Sequence, residues 1–284
     1  MIINNVTKEI ENLYEELKDF KLIKDKELII PRLSELLINS VKKRTKGKVG
    51  IAFSGGVDST LLAFICSKLN VEFKLYNVGY EGAEDLIWAK KIAEFYKWEL
   101  RQEIINFEEA EEIIKRVVKI LPDPSVVKVG VACPEIIVFD LAKEDGCDVV
   151  LGGLGSEEIF AGYQRHAEAE DKHNECWNGL KSIYDRDLIR DLVVMKSVGV
   201  HVECPFLDKE VIRYSMTIDP SLKINDEHKK IILRETAEYL GLNKQFAWRK
   251  KKAAQYGSAF DKVINKLTKI NKFEYKKDYL ESLK

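Results

Sequence analysis

Residues 48–59 read KVGIAFSGGVDS, an apolar run that leads directly into two glycines. The apolar run predicts a buried strand, and the apolar spacing of residues 61–69 predicts a helix after the glycines. Glycines at a strand-to-helix turn let the backbone approach an anion, and the first turn of a helix offers unpaired N–H groups to it. The stretch therefore predicts an α/β fold with a pyrophosphate-binding loop at residues 54–59.

Asp58 narrows what this loop can bind. Its carboxylate would repel a phosphate on its own, so it indicates a Mg²⁺ ion that bridges the carboxylate and the phosphates. Ser54 and Ser59 add hydroxyl donors. The loop is not a Walker A loop, because G-x-x-x-x-G-K-S/T occurs nowhere in the chain. The alternative interpretation is a glycine-rich turn without a ligand.

Strand and helix patterns alternate through the first half of the chain. Further strands are predicted by FKLYNVG at 73–79, WELRQEII at 98–105 and DVVLGG at 148–153, with apolar helical spacing between them. Such alternation implies βαβ units and a doubly wound parallel sheet. Sheets of this kind bind ligands beyond the carboxyl ends of their strands, which is where the glycine loops fall.

Three segments are predicted along the chain. Residues 1–46 predict an N-terminal extension of two helices, the second of which opens at Pro31. The rest of the chain, 47–284, divides into an α/β core at 47–165 and a mainly helical part at 166–284.

Composition restricts the class of protein. The chain has 284 residues, enough to bury a core without disulfides or metal staples. Its 46 basic and 47 acidic side chains give a formal net charge of -1, which argues against a general binder of polyanions. An apolar run of about 18 residues and a secretory signal are both absent from the sequence, so no membrane association is expected. Five cysteines without a C-x-x-C pair predict a reduced, cytoplasmic protein.

A second glycine-rich segment, LGGLGSEEIFAGY at 151–163, also follows a predicted strand and opens a helix. Its glycines leave room for a ligand, and Glu157 at the helix start is placed to complete the metal shell begun by Asp58. The alternative is that Glu157 and Glu158 only complement the helix dipole. The two segments together favour one metal and phosphate site.

These segments resemble those of a known family. SGGVDS resembles the signature loop of the PP-loop ATP pyrophosphatases, which split ATP into AMP and pyrophosphate, and LGGLGSEEIFAGY resembles the L-S-G-E-G-A/S-D-E-x-F-G-G-Y segment of asparagine synthetases. Three more segments follow in that family's order: PFLD at 205–208, KIILR at 230–234 and WRKK at 248–251. The resemblance covers residues 47–258, and AAQYGS at 253–258 looks especially like the asparagine synthetase domain-containing proteins.

The resemblance implies an adenine nucleotide α-hydrolase-like fold that binds ATP and Mg²⁺. It places Phe53 and Val78 against adenosine, largely through backbone groups. It places Asp58 and Glu157 on Mg²⁺, although the family usually has Asp where Glu157 stands. The implied phosphate contacts are Ser54, Gly55, Gly56, Ser59, Gly152 and Gly153.

The implied catalytic residues are Lys230 and Lys251, which would face the polyphosphate and the charge that develops on it. Lys251 lies in a basic run, and Lys250 and Lys252 are the alternatives to it as the catalytic lysine of this segment. The simpler interpretation of residues 244–252 is a solvated basic face, because the run contains no acidic residue.

The implied reaction is that of an AMP-forming ligase. A small-molecule carboxylate attacks the α-phosphorus of ATP to give an acyl-adenylate and pyrophosphate, and ammonia or an amine then displaces AMP. The family usually carries a fused glutaminase domain, which is not expected in this chain. Nitrogen would then come from free ammonia, another amine or a separate ammonia-supplying subunit.

Two departures from the family concern the acceptor. Leu154 stands where asparagine synthetases have a Glu near the reacting centre, and VKVG at 127–130 stands in place of their T-T-x-R. Polar groups that would meet aspartate are therefore missing. We expect the ATP half of the site to be retained and the acceptor to differ from aspartate.

Two alternative functions stay open at this point. A PP-loop enzyme that adenylates a tRNA base is favoured by the basic run at 244–252, and disfavoured by the near-neutral charge and the missing C-x-x-C pair. A catalytically lapsed ATP-binding regulatory protein is favoured by Leu154 and disfavoured by Asp58. The sequence also leaves open whether the chain forms a homo-oligomer. His166 and His173 lie in a charged helical segment and are expected to face solvent.

Overall fold

The computed structural model describes residues 6–251 and 253–284. Its sheet has five strands: β1 Val49–Ala52, β2 Phe73–Tyr80, β3 Leu100–Ile105, β4 Val149–Leu151 and β5 Val202–Glu203. The strands are ordered β3-β2-β1-β4-β5, and every neighbouring pair is parallel. The doubly wound α/β class is therefore confirmed. The chain reverses direction across the sheet between β1 and β4, the point at which such sheets bind ligands.

Helices cover both faces of this sheet. Before β4 they are α1 Val6–Leu17, α2 Lys26–Arg44, α3 Val57–Lys68, α4 Glu84–Tyr96, α5 Phe107–Ile120 and α6 Val126–Glu144. After β4 they are α7 Ser156–Ile159, α8 Gln164–Glu168, α9 Lys172–Ile183, α10 Ile189–Val198, α11 Lys209–Ser215, α12 Ile231–Leu240, α13 Lys244–Ala247, α14 Ala254–Gly257, α15 Phe260–Ile270 and α16 Lys276–Glu281. A π-helical turn, Tyr184–Leu188, joins α9 to α10, and 3₁₀ turns lie at Pro205–Leu207 and Pro220–Leu222.

The second helix begins earlier than the sequence predicted. Asp25 caps α2, and its side chain accepts a hydrogen bond from the Glu27 backbone N–H at 2.9 Å. Pro31 consequently lies inside the helix instead of opening it. A capping carboxylate satisfies one of the free N–H groups at a helix start, which explains why the helix begins at Lys26.

The core consists of two large hydrophobic clusters, one on each face of the sheet. Leu75 and Tyr76 are successive residues of β2, and they belong to different clusters because side chains alternate along a strand. One cluster joins β1 to α2, α3 and α12, so the helices of the predicted N-terminal extension pack into the same core as the strands. The other is built around α5, α6 and α15.

Two expectations from composition concern the cysteines and the membrane. All five cysteines are free thiols. Within the described residues, none of the helices combines the length and the apolar character needed to cross a bilayer.

Candidate active site

The two glycine-rich loops meet at the carboxyl ends of β1 and β4. A Cβ atom on Gly153 would lie 3.2 Å from the Cβ of Asp58, so the loop after β4 touches the first turn of α3. The contact depends on Gly153 having no side chain. Loops that lie about a hundred positions apart in the sequence thus form the two sides of one crevice, as expected where the strand order reverses between β1 and β4.

Lys230 joins these two loops from the helical part of the chain. Its ammonium donates to both carboxylate oxygens of Asp58, at 2.8 and 2.9 Å, to Glu157 Oε1 at 2.6 Å and to Ser156 Oγ at 3.1 Å. The side chain is 5% exposed. Lys230 has a φ of 58°, a left-handed conformation that is uncommon for residues other than glycine. Strain of this kind concentrates at functional sites, where the surroundings hold it in place.

The charges in this cluster stabilise one another. Burial raises the pKa of Asp58, but the Lys230 ammonium, the Ser156 hydroxyl and the more distant Lys251 bring that pKa below its ordinary value. Burial lowers the pKa of Lys230, but the carboxylates of Asp58 and Glu157 raise it above its ordinary value. Asp58 and Lys230 are therefore both charged at neutral pH.

The donor set suits a Mg²⁺ ion. Asp58 and Glu157 contact the same ammonium, so their oxygens face one point in space. Mg²⁺ in nucleotide sites is held by one or two carboxylates together with substrate phosphates, and these two carboxylates match that number. The site is also tightly enclosed, because a Cβ on Gly162 would lie 1.8 Å from Glu157 Oε2 and 2.4 Å from Lys230 Cε.

The predicted phosphate loop has the local geometry of an anion site. Gly55 has a φ of 66°, and Gly56 caps α3 without a side-chain hydrogen bond. The Ser54 backbone N–H donates to Ser59 Oγ at 3.3 Å, which brings the two serines together. Lys251 crosses over this loop, since a Cβ on Gly56 would lie 2.7 Å from Lys251 Cδ. A helix start and a lysine thus face the same small space.

Arg249 anchors the segment that carries Lys251, a role that sequence reasoning missed. Its Nη1 donates to the Ser54 carbonyl at 2.8 Å, and its Nη2 donates to Asp85 Oδ1 at 3.0 Å. Its guanidinium also lies over the Trp88 ring, 5.1 Å from the centroid. The expectation of a solvated basic face is therefore wrong for Arg249, which is buried, although Lys250 is exposed. The signal that could have found it is Asp85, a carboxylate in the first turn of α4.

One cavity of about 980 Å³ connects these features. Of the residues predicted for adenosine, phosphate, metal and catalysis, most line it: Phe53, Ser54, Gly56, Asp58, Ser59, Val78, Gly153, Glu157, Lys230 and Lys251. Gly55 and Gly152 belong to the same loops and are not among the lining residues. Lys252, an alternative register for Lys251, lies outside the described residues.

The predicted adenosine contacts lie at the end of β1 and in β2. The Phe53 carbonyl accepts a hydrogen bond from Asn77 Nδ2 at 2.7 Å, and the Phe53 backbone N–H donates to the Tyr76 carbonyl at 2.8 Å. Gln102 Nε2 in turn donates to Asn77 Oδ1 at 2.8 Å. The backbone at Phe53 is thereby fixed through polar side chains that line or support this part of the cavity.

A group of charged side chains on another wall of the cavity was not predicted. Arg186 and Asp187 come from the π-helical turn, Arg190 and Asp191 from α10, and Glu135 from α6. The turn is marked by a hydrogen bond from the Ile189 backbone N–H to the Tyr184 carbonyl. Such π-turns are frequent at functional sites. The available signal was the dense charge of DRDLIRD at 185–191.

Leu154 and His166 complete the comparison with the sequence. Leu154 lines the cavity, so the residue that replaces the family's Glu is at the site. The expectation that His166 and His173 face solvent is wrong. His166 is fully buried and its Nδ1 accepts a hydrogen bond from the Tyr163 backbone N–H at 3.1 Å. His173 is partly buried and its Nε2 accepts a hydrogen bond from Trp177 Nε1 at 3.1 Å. Burial lowers the pKa of His166 to about 3.

Known proteins are similar to this chain in sequence. The chain is 34% identical to the "putative asparagine synthetase (glutamine-hydrolyzing) 1" of Methanocaldococcus jannaschii, with 96% of this chain and 56% of that protein covered. It is 27% identical over 263 residues to asparagine synthetase B (glutamine-hydrolyzing) of Escherichia coli, with 85% and 47% covered. The chain thus spans about half the length of these relatives.

Solved structures with a similar arrangement include an NH₃-dependent NAD synthetase from Campylobacter jejuni, at a TM-score of 0.42 and 17% identity, with 91% of this chain and 93% of that chain covered. The family model described as asparagine synthase matches residues 32–177 and 168–272. These two ranges include both glycine-rich loops, Lys230 and Lys251. The chain therefore belongs to the asparagine synthase family.

Proposed function

We propose that this chain is an ATP-dependent carbon–nitrogen ligase that forms AMP and pyrophosphate. The observation that carries the proposal is the buried Lys230 ammonium, which bridges Asp58 on the phosphate loop and Glu157 on the second loop. A lysine and two carboxylates at the starts of two helices are the groups needed to bind a Mg²⁺-nucleotide and to balance charge on its phosphates.

The first step activates a carboxylate. A carboxylate oxygen attacks the α-phosphorus, the bond from that phosphorus to the bridging oxygen of pyrophosphate breaks, and pyrophosphate departs with the electron pair. Lys251 over the phosphate loop and Lys230 in the crevice balance the negative charge that gathers on the leaving group. When bound by Asp58 and Glu157, Mg²⁺ supplies further positive charge to the phosphate oxygens.

The second step forms the carbon–nitrogen bond. The lone pair of an amine attacks the acyl carbon, the bond to the AMP oxygen breaks so that AMP departs with the electron pair, and the nitrogen passes a proton to water. Leu154 offers neither charge nor a lone pair to an incoming ammonia, so this part of the reaction differs from that of a synthetase with Glu at this position. Free ammonia, a small amine or an ammonia-supplying partner protein is the nitrogen donor in this proposal.

Product analysis tests the proposal directly. The protein is incubated with ATP, Mg²⁺, ammonium and a panel of carboxylates and amines, and the nucleotide products are separated by chromatography. We expect AMP and pyrophosphate in equal amounts, dependent on the carboxylate, and loss of both products in Lys230→Gln. Formation of ADP and phosphate, or AMP release that requires tRNA and no carboxylate, would contradict the proposal.

A further inference from the structure

The outer strand β3 has one side of its backbone open. It ends the strand order and, among the described residues, pairs with β2 alone. The Leu75 backbone N–H donates to the Glu99 carbonyl at 2.9 Å, and Leu75 lies opposite Leu100 in the parallel register. Parallel strands bond to each other through alternate residues, so Leu100, Gln102 and Ile104 direct their backbone N–H and C=O groups away from β2. An open edge of this kind is a template for another strand.

Apolar surface lies beside this edge on the face that α4 covers. Gln102 Nε2 donates to the Leu86 carbonyl of α4 at 2.9 Å, so the Gln102 side chain faces α4. Leu100 and Ile104 share that face, because side chains alternate along a strand. Ile104 is 60% exposed, and Ile87, the residue after Leu86, is 63% exposed. The edge therefore combines free backbone groups with exposed apolar side chains.

Two opposite charges lie on the other face of β3. Arg101 Nη1 donates to Asp145 Oδ1 at 2.7 Å and its Nη2 donates to Glu144 Oε2 at 2.6 Å, so the guanidinium is held in place by the end of α6. The Glu103 carboxylate is partly buried and forms no ion pair within the described residues. Opposite charges two positions apart on one strand are self-complementary, since an antiparallel copy of the strand sets each charge opposite the other.

We propose that β3 pairs with β3 of a second copy of this chain, antiparallel and about a twofold axis at Gln102. With outward groups at every second residue, an axis at Arg101, Gln102 or Glu103 pairs at least two of them. An axis at Arg101 or at Glu103 places that residue opposite its own copy, so that two like charges meet. The axis at Gln102 places Arg101 opposite the partner's Glu103. It also sets Leu100 opposite the partner's Ile104, so that all outward groups of β3 are paired.

A second copy fits this edge because the complementarity is contained within the β3 sequence itself. Both strands are the same, so the ion pair and the apolar pair each occur twice about the axis. A twofold interface of this kind is closed, and it joins the two five-stranded sheets into one while it covers both open edges. The dimer does not depend on the proposed ligase function.

Sedimentation equilibrium of the full chain tests the proposal. We expect a monomer–dimer equilibrium in the micromolar range. Glu103→Arg places like charges in both cross-strand pairs, so we expect the dissociation constant to rise by about tenfold or more. Glu170→Arg is the matched control, because Glu170 is an exposed carboxylate between α8 and α9 and lies outside every strand. A chain that stays monomeric throughout the micromolar range overturns the proposal, and so does an equal effect of the two variants.

A mixture of two charge variants tests the register. Arg101→Glu also places like charges in both pairs, so we expect it to remain monomeric on its own. In an equimolar mixture with Glu103→Arg, each pair again joins a cation to an anion, and we expect heterodimers, detected by sedimentation with one variant fluorescently labelled. Absence of heterodimers between the two folded variants overturns the axis at Gln102. Circular dichroism confirms the fold, since Arg101→Glu loses the contact with Asp145.

Ile104→Lys tests the opposite face of the edge and leaves Arg101 in place. A lysine at this exposed position replaces the apolar pair with the partner's Leu100, so we expect the dissociation constant to rise by about tenfold or more. The fold should be kept, because Ile104 is 60% exposed in the single chain. An Ile104→Lys protein that dimerises as tightly as the wild type overturns the assignment of the interface to β3.

Discussion

Lys230 lies 172 positions after Asp58, yet its ammonium is within 2.9 Å of both oxygens of the Asp58 carboxylate. This buried pair fixes the start of α12 against the start of α3. The helical part of the chain therefore contributes directly to the site at the carboxyl ends of β1 and β4. Breaking a buried pair by removing one partner leaves an uncompensated charge, which costs about 3–5 kcal/mol.

Asp58→Asn tests the role of the carboxylate in this pair. We expect Mg²⁺-dependent ATP turnover to fall by about a hundredfold or more, because the variant loses a proposed metal ligand and leaves Lys230 without its main partner. The measurement is the rate of AMP formation, with far-ultraviolet circular dichroism to confirm the fold. Asp140→Asn serves as the control, because Asp140 is on α6, accepts a hydrogen bond from Arg116 and is not among the residues that line the cavity. A folded Asp58→Asn protein with full turnover would refute the assignment.

Lys251→Ala tests a group proposed to act on the transition state. We expect ATP affinity to stay within about tenfold, or 1.4 kcal/mol, whereas turnover falls by about a hundredfold or more. Lys250→Ala is the matched control, since Lys250 is the exposed neighbour. A greater loss of turnover in Lys250→Ala than in Lys251→Ala would show that Lys251 is not the catalytic lysine of this segment.

Gly162→Ala tests how closely the site is packed. A Cβ at this position would lie 1.8 Å from Glu157 Oε2, so both Glu157 and Lys230 must move to accept it. We expect turnover to fall by about a hundredfold, because displacement of a catalytic group by about 1 Å has effects of that size. Steady-state kinetics give the rate, and urea unfolding shows whether the protein remains folded. Unchanged kinetics in a folded variant would mean that the two side chains adjust without consequence.

His166 predicts a loss of stability in mild acid. Its pKa is about 3 in the folded protein against 6.5 as the ordinary value, so protonation favours the unfolded chain. Its contribution to the free energy of unfolding is fully present above about pH 6.5 and is lost progressively towards pH 3, with a slope of up to about 1.4 kcal/mol per pH unit. Urea unfolding between pH 7 and 4 measures this slope.

The His166 contribution is isolated by comparison with variants. His166→Gln keeps an acceptor for the Tyr163 N–H and removes the titration, so its stability should depend less steeply on pH than that of the wild type. His201→Gln makes the same substitution at a histidine whose side chain is 61% exposed, and it is the control for the chemical change itself. Identical slopes in the wild type and His166→Gln would show that other groups control the acid sensitivity.

Leu154 predicts that asparagine is not the product. A carboxylate at this position would accept a proton from incoming ammonia, and a positioned proton acceptor is worth roughly 10²–10⁴-fold in rate. Leucine has no such capacity. We expect little or no asparagine from aspartate, ATP and ammonium, measured beside an authentic ammonia-dependent asparagine synthetase. Comparable asparagine formation by the two enzymes would show that Leu154 is a tolerated replacement.

Local sequence was sufficient for most of the fold. β1 and β4 were predicted from short apolar runs, because burial on both faces of a parallel sheet requires such runs. β3 lies at the edge of the sheet and its sequence LRQEII is largely polar, so its prediction rested on the alternation of strands and helices. β5 was missed because Val202–Glu203 has only two residues and no periodicity to recognise. The start of α2 differs from the prediction because the cap at Asp25, and not Pro31, sets the first turn of the helix.

The phosphate loop, the second glycine segment and their charged residues were determined by the sequence itself, since residues 54–59 and 151–163 carry their chemistry in consecutive positions. The tertiary structure alone decided which distant charges meet. It buries Arg249 against Asp85, places Lys230 between two loops and gathers Glu135 with Arg190. The physical reason is that glycine conformation and apolar periodicity are local properties of the chain, whereas the partner and burial of a charge depend on which surfaces the packed core brings together.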